Sequence, residues 1–167
     1  VQTCALPIFR WQDKMKNESG VSAINKEGLM HVKQMNIRAQ MELNHSKSFT
    51  VRNRVEFVGY RDRQGEGKNS GFLCYIEALY KPMLRPYSFN IRLQYFEADN
   101  YESRVYAYEQ DVMYQFSIPA FYGKGYRFCI NGKFKIVKHF IVWLRLARLW
   151  EEEGSKTEAK LQFQWQG

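Results

Sequence analysis

Cysteine, histidine and proline are scarce in this chain, with 3, 3 and 4 residues among 167. Cys4, Cys74 and Cys129 form no CxxC pair, and no Cys/His group has the spacing of a zinc site. His31, His45 and His139 are far apart and stand at or near expected strand ends, which argues against a shared metal or catalytic role. No stretch approaches ~18 consecutive apolar residues, so no transmembrane helix is expected. Phosphate-loop spacing is missing as well: Gly123 and Gly125 of YGKGY fit a tight turn instead. Ser, His and Asp are nowhere grouped as a hydrolytic set, and Asp99, Glu102, Glu109 and Asp111 read as a solvated loop rather than an acid/base pair. These absences lead to the expectation of a protein that is not an enzyme and takes neither cofactor nor metal.

Aromatic residues, by contrast, are plentiful at 16%, with 11 Tyr, 12 Phe and 4 Trp. In a chain of mean hydropathy −0.53 that fraction suits strands. The net charge is +8, which points to anionic partners such as nucleic acid, lipopolysaccharide or phosphate-bearing solutes, or to a scatter of solvated Lys and Arg. The opening residues, VQTCALPI, lack helical or strand periodicity and are interrupted by Pro7. They match the in-frame translation of a common sequencing-adapter tail. Residues 1–8 are therefore expected to be an artefact, 9–29 a partial strand and loop, and 30–167 a C-terminal β-barrel segment. Missing N-terminal signals then carry no information about location.

Period-two alternation dominates the remainder. In YSFNIRLQYFEAD, Phe89, Ile91, Leu93 and Tyr95 share one face while Asn90, Arg92 and Gln94 share the other. Met35, Ile37, Ala39 and Met41 oppose Asn36, Arg38, Gln40 and Glu42 in the same way. Phe49, Val51, Val55 and Phe57 oppose Thr50, Arg52, Arg54 and Glu56. The pattern returns in YRFCINGKFKI, FIVWLRLARLW and TEAKLQFQW. Strands of ~10–12 residues are expected, longer than the usual ~5–6 and long enough for a tilted membrane crossing of ~9–11.

Connections at 44–47, 82–86 and 137–139 look short, whereas those at 61–71, 99–123 and 151–156 look long and polar. Such alternation is that of an outer-membrane barrel, with short turns on the periplasmic side and long loops outside. The segment 99–123 is expected to be an extracellular excursion, a hairpin folded over the mouth. The predicted fold is all-β: an antiparallel up-and-down meander forming a partial or small outer-membrane barrel of about 7–9 long strands. A sheet with a cut edge leaves backbone groups unpaired, which hydrocarbon does not tolerate, so a larger barrel with earlier strands is expected.

Two faces follow. Arg38, Arg52, Arg54, Arg92, Arg127, Lys133, Arg145, Lys160, Glu42 and Glu56 are candidates to line a lumen, with Glu77 and Glu158 adding negative charge. A basic lumen suits anions; the competing reading is an Arg/Glu ladder across a plugged barrel. Phe89, Ile91, Leu93, Phe140, Val142, Leu144, Leu161 and Phe163 are candidates to face lipid. Tyr60, Tyr87, Tyr95, Trp150 and Trp165 fall near strand ends as aromatic girdles would. Cys74 and Cys129 lie on opposite faces, so both are expected as free thiols.

The block RVYAYEQDVMYQFSIPAFYGKGYRF, with FIVWLRLARLW and SKTEAKLQFQW, resembles the C-terminal barrel of a family of Bacteroidota outer-membrane proteins that often carry helix-hairpin-helix, competence-type repeats upstream. The resemblance covers roughly residues 30–166, and YAYE…FSIPAFYGKG is its most specific part. It implies a bacterial outer-membrane location and a structural, membrane-spanning role, as a conduit or as the anchor of an upstream DNA-binding domain. Expected partners are outer-membrane lipid, the barrel-assembly machinery and a missing N-terminal part of the same chain, with an anionic solute or DNA reached through the full-length protein. Such barrels usually end on an aromatic residue, whereas this chain ends Gln166-Gly167 after Phe163 and Trp165. Two alternatives stay open: a soluble lipocalin-like barrel binding an apolar or anionic ligand, and a basic nucleic-acid-binding β module.

Overall fold

The computed structural model describes residues 2–17, 29–62 and 68–165. Ten strands occur among them: β1 (Gln2–Asn17), β2 (Leu29–Asn44), β3 (Phe49–Asp62), β4 (Lys68–Tyr80), β5 (Tyr87–Ala98), β6 (Val105–Tyr106), β7 (Ala120–Phe121), β8 (Gly123–Val137), β9 (Phe140–Glu151) and β10 (Gly154–Trp165). Eight of them form one antiparallel meander in the order β1-β2-β3-β4-β5-β8-β9-β10. The two-residue strands β6 and β7 pair with each other and make a separate hairpin. A single 3₁₀ turn, Tyr101–Ser103, is the one helical element among the described residues. The up-and-down all-β architecture is thus as the alternation implies. The large strands run to 12–16 residues, longer than expected.

The sheet is not closed. Among the described residues β1 pairs with β2 alone and β10 with β9 alone. Strand parity nevertheless holds from β2 to β10, because one slip in register would turn every side chain to the wrong face. β5 is the clearest case: Asn90, Arg92, Gln94, Phe96 and Ala98 are buried while Ile91, Leu93 and Glu97 are exposed.

Four expectations need correcting. First, residues 2–8, whose sequence lacks strand periodicity, lie in β1, paired to β2 from Gln2↔Asn44 to Ile8↔Arg38. Backbone pairing requires no side-chain periodicity, and an edge strand tolerates the missing N–H of Pro7. The lack of alternation shows in where the side chains fall: Leu6 and Ile8 stand opposite Gln40 and Arg38. From Phe9 onward the apolar residues return to the face of Ile37 and Met35. Second, residues 151–156 are no long loop. β9 and β10 pair up to Glu151↔Gly154 across a two-residue turn, with Gly154 at φ 151°, a conformation L side chains rarely adopt.

Third, strand pairing continues through Arg61↔Lys68, which shortens the expected 61–71 loop to residues 63–67; these lie outside the described residues, as do 18–28 and the terminal Gln166-Gly167. Of the three connections expected to be long, the one between β5 and β8 is long among the described residues. Fourth, that segment, expected as a hairpin over the mouth with solvated carboxylates, has Glu109 and Asp111 buried instead. It folds back onto one face of the sheet, because Val105, Ala107 and Phe121 have an apolar patch to cover, made of Val58, Leu73, Tyr75 and Phe96. Its entry is latched: the Ser70 backbone N–H and hydroxyl donate to Asp99 at 2.6 and 2.9 Å. Asn100 caps the 3₁₀ turn, accepting from the backbone N–H groups of Glu102 and Ser103 at 3.0 and 3.1 Å. Gly71 lets the turn approach, since a Cβ there would sit 2.1 Å from the Ser103 carbonyl oxygen.

Candidate functional site

The sheet has a covered face, on which the hairpin of β6 and β7 lies, and an open face. All ten residues expected to line a lumen belong to the covered face, and all eight expected to face lipid belong to the open one. The covered face is polar and buried. Arg145, Glu77, Glu56, Arg92 and Arg54 are 0%, 0%, 2%, 3% and 6% exposed.

Each buried charge is paired, as burial demands. Glu56 accepts from Arg38 at 3.0 and 3.1 Å, from Asn36 at 2.7 Å and from Arg54. Glu77 accepts from Arg52 at 3.0 Å, Arg92 at 2.9 Å and Asn90 at 2.7 Å. Arg52 also reaches Glu42 at 2.9 Å, so two carboxylate centres tie β2, β3, β4 and β5 together. Lys133 lies over the Trp143 ring at 4.7 Å, and Lys160 bonds Glu158 at 2.9 Å.

The hairpin completes the network. Glu109 and Asp111, expected to be solvated, are buried to within 1–2% at the side chain. Arg127 holds Glu109 through two bonds, at 2.6 and 3.0 Å, and Arg145 holds its second oxygen. Lys160 bonds Asp111 at 2.8 Å. Three arginines from three strands donate to alternate carbonyls of the hairpin: Arg54 to Tyr106, Arg92 to Tyr108, Arg145 to Gln110. The arrangement is a ladder of Arg/carboxylate pairs that clamps the hairpin onto the covered face. The missed members, Glu109 and Asp111, carried a signal: cations outnumber Glu42, Glu56, Glu77 and Glu158 two to one on the polar face, so further carboxylates were owed to it.

The open face reverses the usual order of burial. Leu93 and Ile76 are each 52% exposed, Leu161 59% and Phe163 62%. Aromatics gather towards both ends of the strands. At the end away from the hairpin's base, Phe89 meets Phe134 at 5.3 Å and Tyr87 at 5.6 Å, and Phe140 stacks on Phe163 at 5.9 Å. At the hairpin end, Tyr95 meets Tyr126 at 5.1 Å and Phe72 at 6.3 Å, and Arg148 lies 5.2 Å over Trp150. Tyr87, Tyr95, Trp150 and Trp165 belong to these groups; Tyr60 does not, because its even position in β3 sets it with Arg54, Glu56 and Val58 on the covered face. Six to ten residues separate the groups, roughly 20–33 Å along a strand. Charges on the open face sit at the hairpin end: Glu97 with Lys124 at 3.7 Å, Arg148, and the row Asp13, Lys33, Arg61 and Lys68.

Among the described residues no group of His, Cys, Asp and Glu is placed to hold a metal ion. Cys74 and Cys129 are free thiols, half-buried and buried respectively. Comparison with protein-family models, with curated proteins and with solved structures gives no match for this chain.

Proposed function

We propose that this sheet is wall from an outer-membrane β-barrel, with its open face in lipid and its hairpin inside. One observation carries the reading: buried charges and exposed aliphatics are exchanged relative to a water-soluble sheet, with Arg145 at 0% and Leu93 at 52% exposure. In water the exposed belt, with Ile76, Leu93, Leu161 and Phe163 each more than half exposed, would be a contiguous apolar patch of the kind that marks an interaction surface. In a bilayer it is the required surface, flanked by aromatic groups at the spacing of the two interfaces. The exposed edges of β1 and β10 need partners in hydrocarbon, so the reading includes closure by further strands of a longer polypeptide.

Within this reading the role is structural, an anchor rather than a conduit, because the hairpin and its ion pairs occupy the interior. The likeness of residues 30–166 to Bacteroidota barrels adds assembly by the barrel machinery and a DNA-binding domain as the anchored cargo. A soluble lipocalin-like barrel would need the opposite exposure of Leu93 and Arg92. A nucleic-acid module would need free cations, whereas Arg52, Arg54, Arg92, Arg127 and Arg145 are committed to carboxylates.

Single cysteines at Leu93 and Leu144, in a background lacking Cys4, Cys74 and Cys129, carry spin labels for the test. After refolding into vesicles, both labels should relax strongly with oxygen and weakly with an aqueous nickel chelate. Strong relaxation by the nickel chelate, or a monomeric fold that stays in water without detergent, overturns the proposal.

A further inference from the structure

The open face carries a groove of about 440 Å³ at its hairpin end. Its depth comes from Gly59, which has no side chain where its neighbours carry Met35 and Phe57. A Cβ at Gly59 would meet both at 3.7 Å, ordinary contact distance, so nothing steric requires glycine there. Trp11 supplies a further apolar wall. The groove runs along the aromatic group that marks this end of the belt, with Phe57 paired to Phe72 in register.

Its rim is cationic. Lys33 pairs in register with Arg61, and Arg61 with Lys68, so three like charges stand side by side on three adjacent strands. All three are exposed and line the groove. Like charges directly opposite one another destabilise a sheet. Asp13, beside Lys33 in register, puts one negative charge at the end of the row, leaving it net positive. On the same face and at the same end Lys124 has Glu97, and arginines of the covered face have Glu56, Glu77 and Glu109.

We infer that this groove binds an anionic lipid of the bilayer, the headgroup phosphate on Lys33, Arg61 and Lys68 and an acyl chain along Met35, Gly59 and Phe57. The inference rests on the membrane reading above. Charge and shape each favour such a ligand: a free anion would leave the apolar groove unused, and a neutral lipid would leave the cation row unrelieved. Each Lys or Arg near an anionic lipid surface favours association by roughly fivefold, so two net charges should give roughly a 25-fold preference.

The protein is refolded into phosphatidylcholine vesicles doped with phosphatidylglycerol, extracted in mild detergent, and its retained lipids are counted by native mass spectrometry. Retained phosphatidylglycerol should exceed phosphatidylcholine by tenfold or more, and inorganic phosphate at millimolar concentration should not displace it. Lys33→Gln/Arg61→Gln/Lys68→Gln should abolish the preference. Lys81→Gln/Lys135→Gln/Lys138→Gln, which removes equal charge at the opposite end, should leave it intact. Gly59→Phe, which fills the groove and keeps the cations, should reduce retention of both lipids. Equal retention by the wild type, equal loss in both triple variants, or full displacement by phosphate overturns the inference while leaving the membrane reading standing. Failure to enter vesicles of either composition overturns both.

Discussion

Replacing Glu109 with Ala is the sharpest test of how the hairpin is held. The Glu109 carboxylate is 1% exposed and takes two bonds from Arg127 and one from Arg145. Its loss leaves Arg145, itself fully buried, with the Gln110 carbonyl and with Asp111 at 3.8 Å. Removing one member of a buried ion pair costs about 3–5 kcal/mol, because the partner charge stays buried and unmatched. The strands keep their ladders, so the penalty falls on attachment of the hairpin, whose opening equilibrium should rise roughly 10²–10⁴-fold. Amide hydrogen exchange in detergent micelles reads this directly. The Glu109 N–H, bonded to the Ser117 carbonyl at 3.0 Å, changes residue type in the variant but remains a usable probe, as does the Gln115 N–H bonded to Val112 at 3.2 Å. Both should lose protection while β4 and β5 keep theirs. Glu97→Ala, removing a carboxylate that is half exposed and 3.7 Å from Lys124, should shift nothing measurable. Wild-type exchange in the Glu109→Ala hairpin would refute the idea that these charges hold it.

Leu93→Arg places a cation mid-belt on the open face and should cost roughly 2–4 kcal/mol in the folding equilibrium from urea into lipid vesicles, against less than ~0.5 kcal/mol for a water-facing site. Gly71→Ala pushes a methyl group towards the Ser103 carbonyl, so protease cleavage within residues 99–122 should appear at concentrations that leave the wild type intact. If the open face lies in lipid as proposed, Cys129, 2% exposed, should resist both polar and lipid-soluble maleimides, while Cys74, on the open face, should react with the lipid-soluble reagent alone.

The fold was legible because its rule is short-range. In YSFNIRLQYFEAD every second residue declares its face, and pairing such strands needs nothing further from the sequence. The faces of Arg92, Arg145, Leu93 and Phe163 followed from the same rule. What lay beyond it was long-range. Glu109 and Asp111 look like loop carboxylates until the sheet is assembled and its surplus of cations has to be met. Tyr60 looks like a girdle residue until its parity places it with Glu56. The turn at 152–153 was overestimated because Glu-Glu-Glu-Gly-Ser-Lys is polar, and polarity says nothing about whether the backbone is paired.

The hairpin also explains how so polar a face can be buried at all. The expected lumen residues together with Glu77 and Glu158 offer one carboxylate for every two cations on the covered side, a surplus that burial does not tolerate unpaired. The segment between β5 and β8 supplies two further carboxylates and three carbonyls in a row, at the two-residue spacing of an extended chain. That spacing matches arginines on β3, β5 and β9, so the extended conformation of residues 106–110 is set by the sheet as much as by the hairpin's own pairing. Packing of Val105, Ala107 and Phe121 on Leu73 and Phe96 fixes one end, and Lys160 on Asp111 fixes the other. The hairpin and the sheet therefore specify one another: without the arginines the hairpin has no preferred seat, and without the hairpin Arg127 and Arg145 lose the carboxylate that pairs them.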